Sequence, residues 1–275
     1  MDLEDMKKHI RISDLKICVR GGGDIASGVS WRLHQCGFRV FITEIDHPMA
    51  VRRKVAFCEA VWDGHQVVQG VDALLIHMAD DISPVWDQGK IPVLVDPDNL
   101  SRHEVKPDVV VDAILAKKNM GTALNNAPLV IALGPGFEAG IDAHFVIETK
   151  RGHDLGRVLT IGPPAPNTGE PGPVLGITSD RVLRSPADGL WQSRTDIGEF
   201  VRTGDIVGSV ADVPVQTLID GVVRGLIKPG ITASRGLKIG DIDPRGIKEY
   251  CWTISEKALA IAGGVLEGIF RYYSS

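Results

Sequence analysis

A glycine frame that occurs twice, at a fixed offset of 32 residues, constrains this chain more than any other feature. The first copy runs Asp188-Gly189, Gly198, Gly204, Gly208, and the second runs Asp220-Gly221, Gly230, Gly236, Gly240. Positions kept in register in this way mark a duplicated supersecondary unit rather than a glycine-rich linker. Between the glycines lie short runs with β-branched residues, such as Glu199-Phe200-Val201, Asp205-Ile206-Val207 and Gly221-Val222-Val223. These read as strands joined by tight turns, with glycine supplying the positive φ that such corners demand.

Two interlocking copies of four short strands resemble the barrel-sandwich hybrid of biotinyl and lipoyl carrier domains. Such carriers present a modifiable lysine on the hairpin between their halves. In this chain that hairpin falls near Ala211-Asp212-Val213-Pro214-Val215, and no lysine occurs between Lys150 and Lys228. The resemblance implies the carrier fold over residues 177–246 without the carrier chemistry.

A chain of 275 residues has room for two domains with buried cores. Its 44% hydrophobic and 24% charged content is that of an ordinary globular protein, and its net charge of −5 argues against non-specific nucleic-acid binding. The opening MDLEDMKKHIR has no apolar run behind its charges, so residues 1–15 read as a polar lead-in and not as a signal peptide. No segment approaches the roughly 20 apolar residues of a membrane span. Cys18, Cys36, Cys58 and Cys251 are widely spaced with no Cys-x-x-Cys pair, which suits free thiols in a reducing cytoplasm.

From Lys16 the pattern is strand, glycine loop, helix, strand. Ile17-Cys18-Val19 precedes Gly21-Gly22-Gly23, residues 25–35 suit a helix that Gly37 ends, and Arg39-Val40-Phe41-Ile42 reads as a second strand. Apolar runs at 73–76, 92–95, 109–111, 128–133 and 145–147 are continuous rather than alternating, as in parallel strands buried on both faces. Residues 16–160 are therefore expected to form a Rossmann-like α/β domain. Gly162 to Gly176, with five prolines and four glycines, is a connection. After the barrel, Thr253 and Glu256 have capping spacing, and Ala258, Ile261, Ala262, Val265, Leu266 and Ile269 give an apolar face to a C-terminal helix over 253–271. Gly263-Gly264 within it permits close backbone approach.

Two constellations carry chemistry. Gly21-Gly22-Gly23-Asp24-Ile25-Ala26 contains the dinucleotide fingerprint with alanine in third place, and Glu44 ends the second strand 21 residues beyond Gly23. Such a loop brings backbone N–H groups and a helix N-terminus to a phosphate, while the acidic residue reaches a ribose hydroxyl. Asp24 and the polar Arg20 depart from a plain NAD site, so a structural glycine turn stands as the alternative. The second constellation is Gly134-Pro135-Gly136 after one strand and Glu148-Thr149 after another, followed by Arg151 and His153. Glu148 and His153 are candidate acid–base groups and Arg151 a candidate anion ligand; each also reads as a surface charge beside a turn. Val55-Ala56-Phe57 looks β-like, making Cys58 a buried, inert thiol. No histidine pattern signals a metal, Asp142-x-His144 being too short a motif.

These segments together resemble a known family. They include the loop with Asp24, Arg52-Arg53 ahead of Phe57, Pro107-Asp108 leading to Val111-Asp112-Ala113, and Leu133-Gly134-Pro135-Gly136-Phe137. Glu148-Thr149-x-Arg151-Gly152-His153, Asn167-Thr168-Gly169, Lys238 to Arg245 and Ser255-x-Lys257-Ala258 complete the set. The chain resembles the selenium-dependent molybdenum hydroxylase system proteins of the YqeB family over nearly its whole length. That resemblance implies an accessory role in maturing a selenium-dependent molybdenum hydroxylase. The α/β part is also distantly similar to the maturation factor of xanthine and carbon-monoxide dehydrogenases, which handles the molybdenum cofactor. A small phosphate-bearing ligand follows: NAD(P), another nucleotide or the molybdenum cofactor. Two other functions stay open, an NAD(P)-dependent oxidoreductase using the same loop and Glu44, and a non-catalytic scaffold whose barrel docks the hydroxylase.

Overall fold

The computed structural model describes residues 14–169 and 171–274, so the polar lead-in lies almost wholly outside them. The architecture is α/β, and the chain separates into two compact units. The first comprises residues 14–48, Phe57–Asn167 and residues 255–274; the second comprises Met49–Ala56 and Thr168–Ile254.

The first unit holds a nine-stranded mixed sheet: β1 (Lys16–Arg20), β2 (Arg39–Glu44), β3 (His65–Val68), β4 (Val71–Ile76), β5 (Ile91–Val95), β6 (Val109–Asp112), β7 (Leu129–Leu133), β8 (Phe145–Ile147) and β9 (Val158–Leu159). The order is β3-β4-β5-β2-β1-β6-β7-β8-β9. The seven central strands are parallel, while β3 and β9 are antiparallel edges. All five residues of β7 are buried, as a strand covered on both faces requires. Helices α1 (Asp24–Gln35), α2 (Ala60–Asp63), α3 (Ile82–Asp87) and α4 (Arg102–Val105) connect the strands, and the final helix is α5 (Glu256–Tyr273).

α5 packs beside α1 and against β7 and β8. Its buried stripe is Ala258, Ile261, Ala262, Val265 and Ile269, each large apolar side chain contributing about 1.5–3 kcal/mol on burial. A Cβ on Gly156 would stand 2.6 Å from the Ala260 carbonyl oxygen, and Gly264 faces Gly156 in the same way, so paired glycines let helix and loop backbones touch. The helix start differs from the Thr253–Glu256 capping box. Ser255 is the N-cap, its Oγ accepting from the Ala258 N–H, because the Thr253 hydroxyl is already donated to the Glu249 carbonyl.

The β-like run Val55-Ala56-Phe57 is also not a strand. Val55 ends one 3-10 turn, Arg53–Val55, and Phe57 begins another, Phe57–Glu59. The Phe57 N–H goes to the Ser27 hydroxyl and the Cys58 N–H to the Gly22 carbonyl, so the glycine loop and the first turn of α1 take the hydrogen bonds a neighbouring strand would have taken. Upstream, Met49–Ala56 belongs to the second unit. Arg52 Nη2 donates to the Tyr250 and Thr253 carbonyls, and Arg53 Nε to that of Leu226.

The second unit contains β10 (Val182–Arg184), β11 (Gly189–Ser193), β12 (Phe200–Val201), β13 (Ile206–Val210), β14 (Val213–Gln216), β15 (Gly221–Leu226), β16 (Thr232–Ala233) and β17 (Lys238–Asp243). They form two four-stranded sheets, β10-β17-β15-β12 and β14-β13-β11-β16. The 32-residue offset maps β10–β13 onto β14–β17, and each sheet takes two strands from each copy. Gly198 and Gly230 occupy equivalent corners, with φ of 97° and 88°. Trp191 lies in the core between the sheets, and Gly208 leaves room for its ring. At the β13–β14 hairpin Ala211 and Asp212 both have positive φ, the signature of a type I′ turn without its usual glycine.

Candidate functional site

The chain leaves β1 to build β2 and β5 on one side, then returns to place β6 on the other. The order therefore reverses between β1 and β6, the position at which open α/β sheets commonly hold a ligand. Arg20 and Asp112 end those two strands in register and are both buried. Arg20 Nη1 lies 3.4 Å from Asp112 Oδ2 and also bonds Thr122 Oγ1, which donates to the same carboxylate oxygen at 2.6 Å. Arg20, unexpectedly polar for a strand end, is thus half of a buried ion pair at the carboxyl ends of β1 and β6. Burial raises the Asp112 carboxyl above the ordinary range, against the pull of Thr122 and Arg20.

The glycine loop divides into two parts. Gly22 is enclosed: its N–H donates to Glu44 Oε1 at 2.7 Å, and its carbonyl accepts from the Cys58 N–H and the Ser27 hydroxyl. A Cβ at Gly22 would stand 2.8 Å from the Cys58 nitrogen, whereas one at Gly23 would meet nothing within 4 Å. Gly23 is the N-cap of α1 with no side chain capping it, so the first turn begins at an unobstructed glycine. Asp24 opens the helix. Glu44 gives one oxygen to Gly22 and the other to the Ile45 N–H, holding the loop. Its carboxyl is raised by burial, and those two bonds lower it in part.

Glu148 is placed likewise, at the end of β8. Its oxygens accept from the N–H groups of Lys150 and Ala165, each at 2.7 Å, closing the loop that carries Arg151 and His153. Arg151 pairs with Glu256 at the start of α5, and His153 is exposed. Gly134 and Gly136 leave β7 with positive φ. The Thr149 side chain packs on the first, and a Cβ at the second would stand 2.6 Å from the Lys118 nitrogen. These two glycines admit neighbouring chain. β7 is two strands from β1, roughly 10 Å along the sheet edge.

Lys257, in the first turn of α5, links the constellations. Burial lowers its pKa, Arg151 lowers it further, and Asp24, Glu148 and Glu256 oppose the shift. Asp24 of the first loop and Glu148 of the second are therefore both within electrostatic reach of Lys257. Sequence reasoning used Lys257 only as part of a helix opening. The signal was available: a cation in a first helical turn opposes the macrodipole and needs a partner.

His144 Nδ1 accepts from the Val130 N–H, and Asp142 from the Glu138 N–H, so both serve the backbone. Among the described residues no group of three His, Cys, Asp or Glu side chains gathers as a metal site, and no helix is long and apolar enough to cross a membrane. None of the four cysteines is in a disulfide. Cys58 is 1% exposed and Cys36 exposed. In the native protein an alkylating reagent should modify Cys36 at once and Cys58 only after unfolding. Rapid native labelling of Cys58, read by peptide mass, would show the loop opening freely.

No protein-family model matches the chain. It is strongly similar to the uncharacterized protein YqeB of Escherichia coli strain K12, 47% identical over 253 residues that cover 92% of this chain and 47% of that protein. The chain thus spans about half the length of this curated relative. Among solved structures, a succinylglutamate desuccinylase/aspartoacylase from Rhodobacter sphaeroides is 16% identical, covering 83% of this chain and 85% of that one with a TM-score of 0.26. The ectoine utilization protein EutE (DoeB) from Ruegeria pomeroyi is 23% identical over 31% of this chain and 27% of that one, with a TM-score of 0.22. TM-scores this low do not establish a common fold.

Proposed function

We propose that the chain is a YqeB-family accessory protein that helps mature a selenium-dependent molybdenum hydroxylase, binding a nucleotide or molybdopterin-type phosphate at the N-terminus of α1. The observation that carries the ligand reading is the unobstructed Gly23, which starts a helix where the strand order reverses. Backbone N–H groups and the helix dipole favour an anion at such a place, the dipole alone by about 0.3–1 kcal/mol at an exposed site. The run β5-β2-β1-β6-β7-β8 follows the 3-2-1-4-5-6 order of a dinucleotide-binding sheet, which supports reading the first unit as Rossmann-like. The interlocked repeat supports reading the second as a lysine-poor barrel-sandwich hybrid. The maturation role and the hydroxylase partner rest on the family resemblance, and the absence of disulfides suits a cytoplasmic setting.

In this reading Gly21, Gly22 and Glu44 set the loop, and Gly23 and Asp24 form the contact surface. Arg151 and Lys257 supply positive charge, Glu148 holds their loop, His153 stands at the rim, and Gly134 and Gly136 shape the neighbouring turn. Calorimetric titration with NAD, ATP, CTP and a pterin phosphate tests it. At least one should bind, and Gly23→Val should abolish binding while leaving the fold intact, since its side chain enters open space. Arg151→Ala should weaken binding by about 1.5–3 kcal/mol, the usual worth of a charged hydrogen bond. If none binds, or Gly23→Val binds like the parent, the loop is only a turn and the scaffold function takes its place.

A further inference from the structure

The amino ends of β1 and β2 carry charge that the fold leaves unneutralised. Lys16 and Arg39 begin these parallel strands and are register partners, so two cations stand side by side. Lys16 Nζ donates to the Val105 carbonyl at 2.7 Å, and the Arg39 guanidinium lies 6.0 Å from the centre of the Trp86 ring. That ring is fixed in turn by its indole N–H, which donates to the Val40 carbonyl at 2.7 Å. These contacts hold both cations in place without cancelling either charge.

Both line a hollow of about 360 Å³, walled by α3 and α4. Helices of six and four residues are too short to cover this part of the sheet, which leaves the opening. Asp80 and Glu104 line the same hollow. Neither acid pairs with Lys16 or Arg39, and among the described residues neither carboxylate has a hydrogen-bond partner. Charges of both signs thus face one space and stay apart. The volume is that of a small-molecule site.

A second hollow, of about 340 Å³, adjoins the first and shares Ala79, Asp80 and Glu104 with it. Ser101 lines it, three residues before Glu104, and is buried with a hydroxyl that has no hydrogen-bond partner. A buried hydroxyl in that state is costly, and a donor arriving in the hollow would relieve it. Asp80, Glu104 and Ser101 together offer three acceptor groups, as many as an ammonium can use. Beside them Met78, Val95 and Leu100 are apolar and exposed, a surface for an aliphatic chain.

We propose that the joined hollows bind a small zwitterion of the amino-acid type with an apolar side chain. Its carboxylate faces Lys16 and Arg39, its ammonium sits among Asp80, Glu104 and Ser101, and its side chain lies on Met78, Val95 and Leu100. Guanidinium and ammonium groups are the usual partners of a carboxylate. The site stands at the amino ends of the strands, whereas the α1 loop leaves a carboxyl end, so it is separate from the ligand proposed there.

Equilibrium dialysis of the full chain against labelled leucine tests the proposal. Uptake should be saturable. Isocaproate, which lacks the ammonium, and isopentylamine, which lacks the carboxylate, should each compete about tenfold or more less well than unlabelled leucine. Arg39→Gln and Glu104→Gln should each raise the half-saturating concentration by about tenfold or more. Both side chains are exposed, so circular dichroism should show an unchanged fold. Gly23→Val, at the α1 loop, should leave leucine uptake as it is. No saturable uptake, a singly charged analogue that competes as well as leucine, an unchanged half-saturation in either charge variant, or loss of uptake in Gly23→Val would each overturn the assignment. Nucleotide binding at α1 is read separately, so the two sites fail independently.

Discussion

Asp241→Ala should destabilise the second unit by about 3–5 kcal/mol, the cost of removing one partner from a buried ion pair. The carboxylate accepts from Arg181, Arg224 and Lys238 together, and its loss leaves two largely buried guanidiniums facing each other. Ser209→Ala, at the equivalent place in the first copy, should cost under about 1 kcal/mol, as a surface change does. Urea unfolding of both variants checks the contrast. Similar costs at the two positions would mean that the cluster contributes nothing beyond what the frame supplies. The pH dependence has a definite sign. Asp241 and Asp243 both have lowered pKa values, their cationic neighbours outweighing burial. Their contribution is present in full above the ordinary value of 3.8 and is lost as pH falls through the lower folded values.

Asp112→Ala should cost the first unit a comparable amount, about 3–5 kcal/mol, because Arg20 is then left charged and buried. Asp112→Asn should cost less, since its amide oxygen can still accept from Thr122. The acid response carries the opposite sign to that of Asp241. Burial raises the Asp112 pKa, so the penalty for its ionised form appears as pH rises from the unfolded value to the folded one. Mild acid therefore relieves the first unit at Asp112 while the second still holds its cluster. Urea midpoints across this pH range should fall less steeply for the first unit than for the second. A Thr122→Val variant as costly as Asp112→Ala would shift the weight from the ion pair to the hydroxyl.

Most of the architecture could be read from residue order. Continuous apolar runs marked the parallel strands because a sheet covered on both faces has no polar side to alternate with. The glycine frame marked the duplication because Gly198 and Gly204 need positive φ, as do their equivalents Gly230 and Gly236, while Gly208 and Gly240 leave no room for a Cβ. The edge strands β3 and β9 escaped notice: one face of His65–Val68 meets solvent, and Val158–Leu159 is too short to carry a period. The segment 49–59 misled because apolar residues destined for two different units sit side by side. At the site, the residue types were legible but their duties were not. Glu44 and Glu148 looked like ligand-facing acids, yet each gives both oxygens to nearby backbone N–H groups. Lys257 carried a local signal, a cation in a first helical turn, but Arg151, Glu148 and Asp24, which act on it, lie more than a hundred residues upstream.

The exchanged strands of the second unit also set an order of events during synthesis. Each of its sheets needs strands from both copies, so a nascent chain paused after Val210 has neither sheet available to it. The first unit waits longer still, because the helix covering β7 and β8 follows every strand of both units. A ribosome must therefore release the chain through α5 before the large sheet can be covered. Until then the strands of the large sheet stand uncovered along one flank, and that interval is when the chain most needs a holding chaperone.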